Sequence, residues 1–212
     1  MAVRTVVTRS SCHFRGYFPS LKNGHPVPWE SQLEGGFFRL LELSPLVRSY
    51  SVQPSREKIR MDGSYVKYFP DICAVLEDGR EWWFEVKPEK RLLVHSVKAK
   101  IAAATAHFAE TNRNFSVVTD ELIWADTLSE NLQEVLYHRR GPFLTQPERL
   151  ETQSKLEMSQ PKDLSELCSV FGDAAAWRLL GLGVVGVDLE QSITPQTEIF
   201  LTGGHRHADF LS

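Results

Sequence analysis

Phe69-Pro70-Asp71-Ile72-Cys73-Ala74-Val75-Leu76-Glu77-Asp78-Gly79 and the run that follows, Arg80-Glu81-Trp82-Trp83-Phe84-Glu85-Val86-Lys87, decide the reading of this chain. Two apolar runs flank an Asp-Gly pair, the strongest short-range sign of a β-hairpin. Side chains alternate along a strand, so Glu85 and Lys87 share one face and Val86, between them, turns to the core. Asp71 opens the first run. Ionisable groups at the ends of buried strands are costly unless they bind or catalyse something. Two carboxylates suit a hard divalent cation, and an amine beside them suits a water or phosphate oxygen. A strict two-residue turn at Asp78-Gly79 would pair Asp71 with Val86 and point it away from Glu85. A shared cation site therefore requires a bulge or an odd-length loop in this hairpin.

Outward from the hairpin, the pattern alternates helix and strand. Trp29 to Leu43 is helical in period, with Trp29, Leu33, Phe37, Leu40 and Leu41 on one stripe, Pro28 at its start and Ser44-Pro45 at its end. Glu30 and Glu34 share one side of it, with Glu30 expected in solvent. Gly35-Gly36 inside a helix implies a close neighbour, either a nucleic-acid backbone or the hairpin. Val47 to Pro54 reads as a strand. Ile59–Met61 and Tyr65–Phe69 read as a pair turned at Asp62-Gly63. Arg91 to Glu110 reads as a long helix with Leu93, Val97, Ile101, Ala104 and Phe108 on its apolar stripe. Phe115–Thr119 is a short strand, and a further helix runs from about Ser129 to Arg140. The predicted core, residues 29–140, is an α/β fold: a mixed sheet flanked by helices.

Residues 1–28, with few periodic apolar positions, read as a basic, aromatic-bearing arm in which His13 and His25 are surface residues. Residues 141–162 are polar with three prolines and read as a linker, with a short helix at Leu150–Met158. In 163–212, Asp163 and Glu166 form a capping box. Two helices follow, then strands at Val184–Leu189 and Ile199–Leu201, the order of a small winged-helix-like domain. Its charge argues against DNA: only Arg178 and Arg206 oppose seven acids. This part reads as a protein-docking module ending in a disordered tail that carries His205 and His207.

The 212 residues are 42% hydrophobic and 24% charged, ordinary for a soluble protein, and no run is long enough to span a membrane. Residues 1–7 show no signal-peptide core. Cys12, Cys73 and Cys168 lack metal-ligand spacing and read as reduced thiols of a cytoplasmic protein. Net charge is −3, but residues 1–119 hold 17 Lys and Arg against 12 acids, and residues 120–212 hold 7 against 15. The basic part suits a polyanion. Arg15, Lys22, Lys90 and Lys98 are the candidate phosphate contacts.

Pro-Asp…Glu-x-Lys on a buried hairpin resembles the PD-(D/E)xK, or restriction-endonuclease-like, superfamily of metal-dependent nucleases. Asp71, Glu85 and the Val86 carbonyl oxygen would hold the metal, Lys87 would orient water or neutralise phosphate, and Glu34 would complete the shell. An ordered set extends the likeness: Pro28-Trp29-Glu30-Ser31-Gln32-Leu33-Glu34, Leu40-Leu41-Glu42-Leu43, Tyr50-Ser51-Val52-Gln53-Pro54, Phe69-Pro70-Asp71, Phe84-Glu85-Val86-Lys87-Pro88 and Val118-Thr119-Asp120. Over about residues 28–125 the chain resembles TnsA, the endonuclease subunit of Tn7-like transposases. That resemblance implies catalytic positions at Glu34, Asp71, Glu85 and Lys87, and Mg2+, with Mn2+ as a substitute. It also implies nicking of the 5′ strands at transposon ends beside a TnsB-like transposase and a TnsC-like AAA+ regulator. Two other readings stay open: a stand-alone restriction or repair nuclease of the same fold, and a catalytically silent adaptor between DNA and an ATPase.

Overall fold

The computed structural model describes residues 15–207 and 209–211. Cys12, His13 and the first half of the predicted arm lie outside the described residues. The chain forms two compact units: one of Met1–Glu42, Leu46–Ala125 and Asp209–Ser212, the other of Leu43–Pro45 and Asp126–Ala208.

The first unit is built on a four-stranded sheet. β1 (Gly16–Ser20) and β2 (His25–Trp29) form an antiparallel hairpin, so Tyr17–Pro28, read as part of an arm, is ordered chain. α1 (Gln32–Leu43) follows. It starts three residues later than its apolar period suggests, because Ser31 caps it by accepting from the Glu34 N–H at 3.2 Å; Pro28 and Trp29 belong to β2. β3 (Val47–Val52), β6 (Ile72–Leu76), β7 (Glu81–Val86) and β8 (Asn114–Val118) form the sheet in the order β3-β6-β7-β8. The first three are antiparallel, and β8 runs parallel to β7. Between β3 and β6, β4 (Glu57–Met61) and β5 (Ser64–Tyr68) make a separate two-stranded ribbon. Its turn residues Asp62 and Gly63 both have positive φ, 49° and 78°, as a type I′ turn requires.

Alternation along β7 splits the core. Phe84 meets Phe37 of α1 edge-on at 5.1 Å between ring centres, and Phe210 joins them. Trp83, on the other face, packs with Cys73, Tyr68, Ile59 and with Ala104 and Phe108 of α3 (His95–Glu110). The sheet is thus flanked by helices. α2 (Glu89–Leu92) is separated from α3 by Leu93 and Val94. Leu93 is 83% exposed, contrary to its place on the predicted stripe, because the break leaves it ahead of the turns that reach the sheet. α4 (Asp120–Ile123) closes this unit.

Among the described residues the neighbours of Gly35-Gly36 are β2 and α4, not the hairpin. A Cβ at Gly35 would lie 3.5 Å from the Trp29 ring, and one at Gly36 would lie 2.5 Å from Ile123. At Gly36 the missing side chain lets α4 approach, whereas at Gly35 a Cβ would make only ordinary contact with β2.

The second unit holds α5 (Asp126–His138), α6 (Gln146–Ser159), α7 (Leu164–Phe171) and α8 (Asp173–Gly181). α5 falls within 29–140, the range expected to form the core, and clusters with the second unit. α6 fills the stretch read as a linker, and Thr145 and Glu148 form its capping box. α7 is capped as expected: Asp163 accepts from the Glu166 N–H at 2.8 Å. The two strands expected after α8 are not formed. Among the described residues only isolated bridges, such as Gly186 with Phe200, stand in their place, and a distinct winged-helix subdomain is not clear. A Cβ at Gly186 would come within 1.7 Å of the Gly204 carbonyl oxygen. His205 is no tail residue: it is 3% exposed, accepts from the Val187 N–H at Nδ1 (3.3 Å) and sits 2.9 Å from the Leu180 carbonyl at Nε2. Burial lowers its pKa to about 4, so it serves as a neutral core group.

Candidate active site

The hairpin meets the requirement set by its sequence. Ile72 pairs with Phe84, Cys73 with Trp83, Ala74 with Trp82 and Val75 with Glu81. Leu76 N–H bonds the Arg80 carbonyl at 2.8 Å, and Gly79 N–H bonds the Leu76 carbonyl at 3.0 Å. The loop is therefore three residues, Glu77-Asp78-Gly79, and Gly79 takes φ +86°. A type I turn followed by a left-handed glycine is the odd-length solution. It shifts the pairing by one residue and places Asp71 on the face of Glu85.

The two carboxylates converge on one ammonium. Lys87 Nζ lies 3.1 Å from Asp71 Oδ2, 2.9 Å from Glu85 Oε1 and 3.2 Å from the Val86 carbonyl oxygen. Asp71 Oδ2 also accepts from the Val86 N–H at 2.8 Å, while its Oδ1 takes no hydrogen bond from any described residue. Burial pulls the Lys87 ammonium down, but Asp71 and Glu85 outweigh it and hold it above its ordinary value. Burial first, then Asp71, raises the Glu85 carboxyl.

Glu34 reaches the same field from α1. Burial, then Asp71, raises its carboxyl to about 7. Its hydrogen bond goes elsewhere: Oε2 accepts from the Glu30 N–H at 2.8 Å. Ser31-Gln32-Leu33-Glu34 is a capping-box sequence, so Glu34 is a helix-start residue as well as an acid near the site. Glu30, expected in solvent, is half-buried. Its carboxylate pairs with Arg15 at 3.6 Å and accepts from Gln53 Nε2 at 3.2 Å.

Of the candidate phosphate contacts, Lys90 and Lys98 are exposed. The other two are engaged within the chain: Arg15 with Glu30, and Lys22 through its ammonium with the Val47 carbonyl.

Two residues around the site carried no assigned role on sequence. Tyr68, 1% exposed, donates its hydroxyl to Glu85 Oε2 at 2.5 Å. It fixes the carboxylate rotamer while Lys87 holds the other oxygen. The phenol itself is held protonated, first by burial and then by Glu85. Gln53 donates its backbone N–H to the Asp71 carbonyl at 2.8 Å and takes φ 41°, uncommon for a non-glycine residue. Its buried Oε1 finds no partner among the described residues. Neither residue was detectable from period or spacing; the signal was only the Gln-Pro pair ending β3 and a Tyr three residues ahead of Asp71.

Among the described residues, no group of three or more His, Cys, Asp or Glu could hold a metal ion. The set here is smaller: two carboxylates and a backbone carbonyl around one ammonium. That ammonium is itself a bound cation, and its donors are all hard oxygens. Mg2+ takes one or two carboxylates and keeps several waters, so these residues fit such an ion once Lys87 swings aside. No helix of the described residues is long and apolar enough to cross a membrane.

Comparison with curated proteins gives no match. A family model described as TnsA-like endonuclease N terminal matches residues 44–120. The matched stretch contains Asp71, Glu85 and Lys87 and stops short of Glu34. Residues 44–120, with their Pro-Asp…Glu-x-Lys hairpin at the centre of a helix-flanked mixed sheet, are thus a TnsA-like N-terminal domain of the PD-(D/E)xK type.

Proposed function

We propose that the chain is a Mg2+-dependent DNA endonuclease that nicks the 5′ strands at transposon ends as a subunit of a heteromeric Tn7-like transposase. The observation that carries this reading is the convergence of Asp71, Glu85 and the Val86 carbonyl on one cation. Hydrolysis of a phosphodiester needs an attacking hydroxide and a stabilised leaving oxygen, and a divalent ion supplies both when bound. Asp71, Glu85 and the Val86 carbonyl would hold that ion, and no described residue hydrogen-bonds Asp71 Oδ1.

The chain's own residues supply the rest. Tyr68 holds Glu85 in place. Lys87, released from the carboxylates, neutralises phosphate or orients water. Glu34, with its carboxyl raised to about 7, exchanges a proton near neutral pH and can serve as a base or a further ligand. The family likeness over residues 44–120 supports the TnsA-like role. It also motivates partners of the TnsB-like transposase and TnsC-like AAA+ classes, with the acidic C-terminal part as the docking surface.

The test is a cleavage assay on end-containing duplex DNA with Mg2+, with and without those partners, comparing Asp71→Asn with the unaltered chain. Nicking should fall at least ~1000-fold, as expected when a metal ligand is lost. Equal nicking by the variant would remove the nuclease reading and leave the adaptor reading.

A further inference from the structure

The β4–β5 ribbon carries an unusual charge arrangement on its outward side. Its register sets Lys58 directly opposite Lys67, and Arg60 opposite Tyr65. By alternation all four share one face, while Ile59 and Tyr68 turn inward, 0% and 1% exposed. All four outward residues are exposed, Tyr65 by 73%. Like charges directly opposite on a strand pair are destabilising. Lys58, Arg60 and Lys67 form no ion pair with any described residue. The nearest acid in sequence, Glu57, points the other way and is engaged by Arg113 at 3.0 and 2.9 Å and by His107 at 3.0 Å. Glu110 and His107 of α3 border the recess beside Lys58, Arg60 and Tyr65, and Asp62 sits at the turn; three bases against these two carboxylates leave the face net positive.

The ribbon is also anchored to the chemistry. Its inward Tyr68 bonds Glu85, and Asp71 follows three residues later. A two-stranded ribbon is one of the two elements that a DNA major groove admits.

We propose that the outward face of the β4–β5 ribbon is a DNA-binding surface. Lys58, Arg60 and Lys67 take phosphates of the duplex next to the bond that the Asp71–Glu85 site cleaves, and Tyr65 contacts the groove wall. The opposed lysines are tolerated because the polyanion relieves their repulsion. This surface deepens the nuclease reading and rests on its DNA substrate.

The experiment is duplex DNA binding by the full chain, followed by fluorescence anisotropy in EDTA over about 50–300 mM salt. The triple variant Lys58→Gln, Arg60→Gln, Lys67→Gln should reduce the slope of log affinity against log salt by about 2–3, from ~0.9 per lost phosphate contact, and weaken binding at least tenfold at about 0.1 M salt. Lys155→Gln with Lys162→Gln, on the second unit, should leave the slope unchanged. Lys67→Gln alone should weaken binding severalfold while raising the unfolding midpoint, because it removes the like-charge pair; a misfolded variant would lower it. Unchanged slope and affinity in the triple variant, or an equal loss in the control, would overturn the proposal. Because the assay contains no metal, its outcome is independent of nicking: a failed nuclease reading shows in the separate Mg2+ cleavage assay, as end-containing DNA that the ribbon binds and the chain leaves uncut.

Discussion

Replacing Lys87 by alanine removes the ammonium that Asp71, Glu85 and the Val86 carbonyl surround. With a carboxylate about 3 Å away on either side, each attraction is worth roughly 5 kcal/mol at an effective dielectric of about 20, before desolvation. Breaking a buried pair by removing one partner costs about 3–5 kcal/mol net. The side chains of Asp71 and Glu85 are 14% and 6% exposed, but that of Lys87 is 33% exposed, so solvent screens part of the gain and the loss should be about 3 kcal/mol. The pH sign follows from Glu85. Its carboxyl is already raised by burial and by Asp71, with Lys87 opposing; without Lys87 it rises further. A group raised in the folded state favours folding when protonated, so the variant should regain stability as pH falls below neutrality.

If these oxygens form a cation site, Mg2+ or Ca2+ should also restore the variant, by about 2.7 kcal/mol at a hundredfold excess over Kd. Urea unfolding followed by tryptophan fluorescence, in EDTA and with each ion, measures both effects. A loss under about 1 kcal/mol, or no recovery with either ion, would refute the view that Lys87 stands where a metal binds.

Glu34→Gln keeps the helix-start acceptor and removes the titration. With the folded carboxyl at about 7 against 4.5 unfolded, Glu34's contribution to stability is fully present below pH ~4.5 and is lost as pH rises through ~7, by up to about 3 kcal/mol. The variant's stability profile over that window should be flatter, and parallel profiles would show that Glu34 is not buried against Asp71. Tyr68→Phe should weaken divalent-cation affinity about 10- to 100-fold, as loss of a group that orients a ligand does. Calorimetric titration with Mn2+ or Ca2+ reads this without any cleavage step, and equal affinity would remove Tyr68 from the positioning role.

The hairpin and its charged ends were legible because both strands are apolar runs around Asp-Gly, and because burial makes Asp71, Glu85 and Lys87 conspicuous where chance would seldom put them. The ribbon turned at Asp62-Gly63 was legible for the same reason. Helix starts were less so. The apolar period placed α1 at Trp29, and the Ser31 cap, a local hydrogen bond, overruled it. Leu93 fits a helical stripe on paper, yet the break before His95 leaves it in water. His205 looked like a tail residue because sequence cannot show that two backbone partners wait for it.

Sequence alone determined which side chains could act: residue type and alternation commit Asp71, Glu85 and Lys87 to the ends of two buried strands. Tertiary structure decided whether they meet. One additional loop residue, closed by Gly79 in a left-handed conformation, shifts the register from pairing Asp71 with Val86 to facing it toward Glu85. A period of two makes that single step the difference between carboxylates on opposite faces of a sheet and carboxylates around a common cation. Tyr68, Gln53 and the opposed lysines of the ribbon came from the same source, since each depends on a partner distant in sequence and fixed only by packing.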